Sequence, residues 1–127
     1  MDEAKAQEWL DRYVEAWRSG DREQIGDLFT EDVSYRYHPY DEPVLGRQAV
    51  VQSWLEDWDP KEPWKADYRV HVLNGNQMVA IGTSRYLPYR DHPERLYYNV
   101  FLIEFDDEGR CREFTEYFVK EPSPESA

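Results

Sequence analysis

From Trp64 onward the apolar residues of this chain alternate with polar ones, whereas before Trp64 most of them recur at helical spacing. That change of period constrains the fold more than any other feature, because a period of two demands a sheet and a period of 3.6 demands helices that bury one face. Trp9, Leu10, Tyr13, Val14 and Trp17 lie at i, i+1, i+4, i+5 and i+8, which predicts a helix from about Asp2 to Arg18, ended by Gly20. Asp21 and Gln24 have the spacing of an N-cap and its reciprocal partner, opening a short second helix that buries Ile25, Leu28 and Phe29. Val33, Tyr35 and Tyr37 then alternate with Ser34, Arg36 and His38 as a first strand. The segment PYDEPVLG is a predicted loop, and a third helix from Arg47 to about Trp58 repeats the apolar stripe as Val50, Val51, Trp54, Leu55 and Trp58.

Pro60 and Pro63 stop that helix, after which Trp64, Ala66, Tyr68, Val70 and Val72 share one face of a strand. Asn74-Gly75 predicts a tight hairpin into Gln77–Tyr86. Two long strands follow, Leu96–Phe105 and Arg110–Val119, joined by DDEG, and KEPSPESA lacks the apolar content to be more than a tail. The expected organisation is one domain over residues 1–119 with a disordered tail at 120–127. Its order is helix, helix, strand, helix and a four-strand antiparallel meander, an α+β arrangement.

Composition narrows the function classes. A chain of 127 residues, 40% hydrophobic and 16% aromatic, supports one core. Its 27 acids against 15 Lys and Arg leave a net charge of -12, which repels phosphate backbones and anionic leaflets, so neither nucleic acid nor a membrane is an expected partner. No run reaches the roughly 18 apolar residues of a membrane span, and MDEAKAQEW carries acids where a secretory signal would be basic and then apolar. Cys111 is the only cysteine, so no intrachain disulfide forms, and a cytoplasmic location is expected.

The first half, RYVEAWRSGDREQIGDLFTEDVSYRYHPYDEPVLGRQAV, holds an SGD turn, an LFTEDV helix exit and a GRQAV helix entry. With these spacings the chain resembles the nuclear transport factor 2-like, or SnoaL-like, superfamily over residues 4 to 119. The resemblance implies a cone: three N-terminal-half helices packed on a strongly curved, mostly antiparallel sheet around an internal pocket. It implies no cofactor, and a homodimer formed through the outer sheet face, where Tyr86 and Tyr98 are expected. The superfamily includes isomerases, dehydratases, cyclases, epoxide hydrolases and proteins without chemistry, so fold alone assigns no reaction.

Combined with the alternation, the cone predicts which residues line the pocket. Tyr13 and Trp17 come from the first helix, Tyr35 and Tyr37 from the first strand, and Trp54 and Trp58 from the third helix. Tyr97 and Asn99 follow Phe101 inward, Glu116 follows Phe114 and Phe118, and Thr83 and Arg85 follow Val79 and Ile81. His38 is expected at the rim or on the outer face.

Glu116 and Arg85 are the candidates for chemistry, since each is charged yet shares a strand face with apolar neighbours. Glu116 in the pattern E-Y-F resembles the last-strand acid of SnoaL-like cyclases and limonene-epoxide-hydrolase-like enzymes. It is then a desolvated general acid or base, or the partner of Arg85 in an ion pair, or it sits with Arg85 at a strand end where both reach solvent, and the want of a companion for catalysis favours the pair. Tyr13 resembles the oxyanion-donating tyrosine of ketosteroid-isomerase-like members, although Tyr37 stands at that family's base and Phe101 at its protonated aspartate. His71 and His92 do not form the two-histidine arrangement of scytalone-dehydratase-like members, and no Arg-x-Asp pair lies in Tyr97–Phe101. His38 with Asp41 and Glu42 matches no regular ligand spacing, so no metal is expected, and Cys111 has no histidine near it in sequence. The expected function is binding of a small hydrophobic oxygenated molecule, with cofactor-free isomerase, cyclase or hydrolase activity. The alternative is a non-catalytic ligand-binding or dimeric interaction module.

Overall fold

In the computed structural model, which describes residues 1–122, Asp2 caps the first helix by accepting a bond from the Lys5 amide at 2.8 Å. This helix, α1 (Glu3–Ser19), ends where Gly20 takes φ 65, and the Trp58 ring lies against Gly20 so closely that no Cβ would fit. Asp21 caps α2 (Arg22–Gly26) through the Glu23 and Gln24 amides, as its position predicts. The Gln24 side chain does not reach back to Asp21; it accepts from Ser19 Oγ at 2.7 Å. Leu28 and Phe29 lie beyond this helix, and Phe29 opens β1 (Phe29–Arg36), so the strand begins earlier than Val33. Its partner explains the difference: Phe29 pairs with Cys111, a contact across the chain that local alternation does not reveal.

The predicted loop contains a two-residue strand, β2 (Val44–Leu45), paired antiparallel with Ser34 and Tyr35. Helix α3 (Arg47–Glu56) stops short of Trp58. Four strands complete the chain: β3 (Trp64–Asn74), β4 (Gln77–Tyr86), β5 (Arg95–Phe105) and β6 (Cys111–Lys120). The sheet order is β2-β1-β6-β5-β4-β3, with β1 and β6 parallel and all other neighbours antiparallel. The result is the expected α+β arrangement, three helices of the N-terminal half on a six-stranded sheet that is not closed.

Three local expectations change. Asn74 pairs with Gln77, so Gly75 at φ 61 and Asn76 make the hairpin turn, one residue later than the dipeptide suggests. A register shift between Val70 and Val72 turns Val72 outward and Leu73 inward. On β4, Met78, Ala80 and Ser84 are buried, while Val79, Ile81 and Thr83 belong to the other face. Register decides this, because Ala80 faces Phe101 and Ser84 faces Tyr97 across the ladder, and directly opposed residues share a face. Strand β6 runs to Lys120, opposite Tyr97, and the Glu121 amide donates to Leu96 O at 2.8 Å. The rest of the expected tail, from 123, lies outside the described residues. Among the described residues no helix is long and apolar enough to cross a membrane.

Candidate functional site

The inner sheet face and α1 enclose a cavity of about 160 Å³. Strand alternation brings Glu116 to it: Phe114 is buried two residues earlier, and Glu116 stands opposite buried Phe101. The carboxylate is held on one side only. Its Oε2 accepts from Asn99 Nδ2 at 2.6 Å, and Asn99 Oδ1 accepts from Ser84 Oγ at 3.0 Å. Both supporting side chains are buried, so the Ser84–Asn99–Glu116 chain is fixed from β4 through β5 to β6. Oε1 has no hydrogen-bond partner among the described residues, and Glu116 lines the cavity. Burial disfavours the charged form and pushes the Glu116 carboxyl up to about 7, against the opposing pull of the Asn99 bond and of His38.

The rest of the wall is aromatic. Tyr13 and Trp17 come from α1, Tyr35 and Tyr37 from β1, Trp64 and Tyr68 from β3, and Tyr86 from β4. Tyr35 stacks on Phe114 with centroids 4.4 Å apart, and Tyr13 stacks on the same ring at 5.7 Å. The Tyr13 and Tyr35 hydroxyls are 3.4 Å apart, and that of Tyr37 meets Ser53 Oγ at 2.6 Å. Burial raises the phenol pKa of Tyr13, Tyr35, Tyr37, Tyr68 and Tyr86, with the Glu116 charge adding to it, so all five stay neutral at ordinary pH. Among the described residues no Lys, Arg or His lines this cavity.

The structure sorts the expected site residues into three groups. Glu116, Tyr13, Trp17, Tyr35, Tyr37 and Asn99 meet at the cavity. Trp54, Phe101 and Phe114 are core residues behind its wall, where Trp54 meets Tyr13 and Trp17 edge to face. Trp58 is past the end of α3 and donates Nε1 to Trp17 O at 2.8 Å, so it braces the wall without lining it. Tyr97 sits toward the strand end against Tyr86 and Phe118, outside the cavity.

Arg85 is a correction. It lies on the opposite face of β4 and pairs with Glu94 at 2.6 Å, both side chains 47% exposed, so it is neither a cavity residue nor the partner of Glu116. Tyr86 is another, for it faces the cavity while Tyr98 faces outward. His38 is at the rim, bonded through Nδ1 to Asp41 at 2.7 Å and stacked on Tyr40. Trp64, Tyr68, Ser84 and Tyr86 were not among the expected lining residues; the alternation of β3 points to the first two, and only the ladder register finds the others. Among the described residues no group of His, Cys, Asp and Glu is placed to hold a metal ion.

Comparison with known proteins follows the same architecture. The profile of the SnoaL-like domain matches residues 10–114. No curated protein matches the chain. An NTF-2-like protein of unknown function from Burkholderia xenovorans LB400 superposes with a TM-score of 0.72 at 22% identity, over 95% of this chain and 88% of that one. An LEH-like epoxide hydrolase from M. tuberculosis superposes with a TM-score of 0.67 at 14% identity, over 91% and 84%. At these identities the likeness is one of fold.

Proposed function

Because the chain belongs to the SnoaL-like domain family, we propose that it binds a small, mostly hydrophobic, oxygenated molecule in this cavity and transfers a proton to or from it through Glu116 without a cofactor. The observation that carries the proposal is the Glu116 carboxyl itself, lining the cavity, pinned through one oxygen, without a bonded partner on the other among the described residues, and brought to about 7 by burial. A group titrating near the working pH serves as acid or base with comparable ease. Tyrosine hydroxyls on the same wall supply donors for the ligand oxygen, Tyr13 among them. One carboxyl suits reactions in which a single group takes and returns a proton, as in isomerisation and some cyclisations. Epoxide hydrolysis, the activity in the name of the M. tuberculosis relative, asks for a base toward water and a separate acid toward the ring oxygen; here a tyrosine would have to supply the acid.

The same proposal includes a homodimer and a cytoplasmic setting. The outer sheet face exposes Val72, Tyr98, Leu102, Tyr117 and Val119, the last 68% exposed, apolar side chains of the kind that an interface covers. The single buried Cys111 asks nothing of an oxidising compartment.

The decisive experiment follows the Glu116 carboxyl by carbon NMR while cyclohexenone and styrene oxide are screened for binding and turnover across pH. A midpoint near 7 in the titration, and in any rate profile, with both lost in Glu116→Gln, is expected. A carboxyl that titrates in the ordinary range near 4.5 would remove the basis of the proposal.

A further inference from the structure

We propose that the ligand of this cavity carries a basic nitrogen, and that it is held as an ammonium ion between the Glu116 carboxylate and the surrounding aromatic rings. This rests on the cavity being the ligand site, and it adds to the ligand's oxygen a second polar group, a basic nitrogen.

The wall is electrostatically one-sided. Among the described residues it offers seven aromatic rings, whose faces are negative, and one carboxyl, with no cationic side chain in the lining. An anionic ligand would meet repulsion from Glu116 whenever that carboxyl is ionised, and no cationic side chain of the lining would offset it. A neutral one would satisfy hydroxyls but leave the buried carboxyl where it is. A cation gains from the carboxylate and from each ring face it meets, and indole and phenol faces around a desolvated ammonium are a recognised way to hold it. The Arg18 guanidinium lies 4.3 Å from the Trp64 centroid, so one face of that ring is already taken and the ligand is left the others. At long range the net charge of -12 draws cations toward the molecule.

The groups around Glu116 leave the role of counter-ion to the ligand. Tyr13 faces it from α1, Tyr35 and Tyr37 from β1, Tyr68 from β3, Ser84 and Tyr86 from β4, and Asn99 from β5; all are uncharged. His38 acts on it from the rim, but its Nδ1 is engaged by Asp41. An amine entering neutral takes the Glu116 proton: the O–H bond breaks, an N–H bond forms, and the carboxylate and ammonium stay paired. An amine entering as ammonium reaches the same state, and the Glu116 proton leaves to water.

Three ligands sharing one ring test this: cyclohexylamine, cyclohexanol and cyclohexanecarboxylate, titrated calorimetrically at pH 6 and pH 8 into the wild type, Glu116→Gln and Arg85→Ala. The amine is expected to bind on the order of tenfold tighter than the alcohol, and the carboxylate not at all. At pH 6 the amine should release about one proton, seen as an enthalpy that varies with the buffer, and almost none at pH 8. Glu116→Gln should bring the amine down to the level of the alcohol, while Arg85→Ala, on the other sheet face, should change neither. If the alcohol binds the wild type as tightly as the amine, the ammonium proposal is wrong and the cavity remains a ligand site. Binding of none of the three overturns both.

Discussion

Glu116 and Arg85 look alike in sequence, each a charge among alternating apolar residues, and the structure separates them completely. The folded pKa of Glu116 lies above its unfolded value, so the native state binds the proton more tightly between about 4.5 and 7. Its contribution is therefore fully present below pH 4.5 and is lost as pH rises through 7. After allowance for partial solvent contact, the loss should be about 2 kcal/mol. Glu116→Gln should abolish that slope and be the more stable protein at pH 8, which urea unfolding at pH 5 and pH 8 measures; equal slopes in the two proteins would contradict the burial of the charge. Arg85→Ala breaks only an exposed pair and should cost under about 1 kcal/mol. A loss of several kcal/mol in the same experiment would restore the buried ion pair.

At the scale of the element, the faces of the helices and of β6 were legible because large apolar residues mark them. Strand β4 was not, because its buried side carries Ala80, Gly82 and Ser84 while its outer side carries Val79 and Ile81. Small residues are needed there: a Cβ on Gly82 would meet the Asp67 carbonyl and the Tyr68 ring. Gly82→Ala should cost on the order of 1–3 kcal/mol, read from the thermal midpoint, and a neutral outcome would mean that β3 and β4 are not so closely apposed. The two helix tryptophans also part company. Trp54→Ala, at a fully buried site, should cost about 3–5 kcal/mol, whereas Trp17→Ala removes a half-buried cavity wall and should cost less than half of that while weakening ligand binding. Equal losses in urea would place Trp17 in the core.

For the whole molecule, the proposed dimer rests on the outer sheet face. Leu102 stands between Val79 and Thr115 across the ladder, near the exposed Val72, and is 42% exposed in the single chain. Sedimentation at micromolar concentration should give twice the 15.3 kDa chain mass, and Leu102→Glu should return it to one chain without loss of fold. A wild-type protein that sediments at 15.3 kDa would end the dimer proposal. The fold class was readable from the order of periodicities, since helix and strand periods are local properties that each segment declares for itself. So were Tyr13, Trp17, Tyr35, Tyr37, Asn99 and Glu116, each in step with a buried neighbour. Ser84 and Tyr86 at the cavity, the Asn99 bond to Glu116 and the release of Arg85 to Glu94 depend on which residue of one strand lies opposite which of the next. Register is a contact between distant segments, set when the sheet closes over the core, and no local period of the chain contains it.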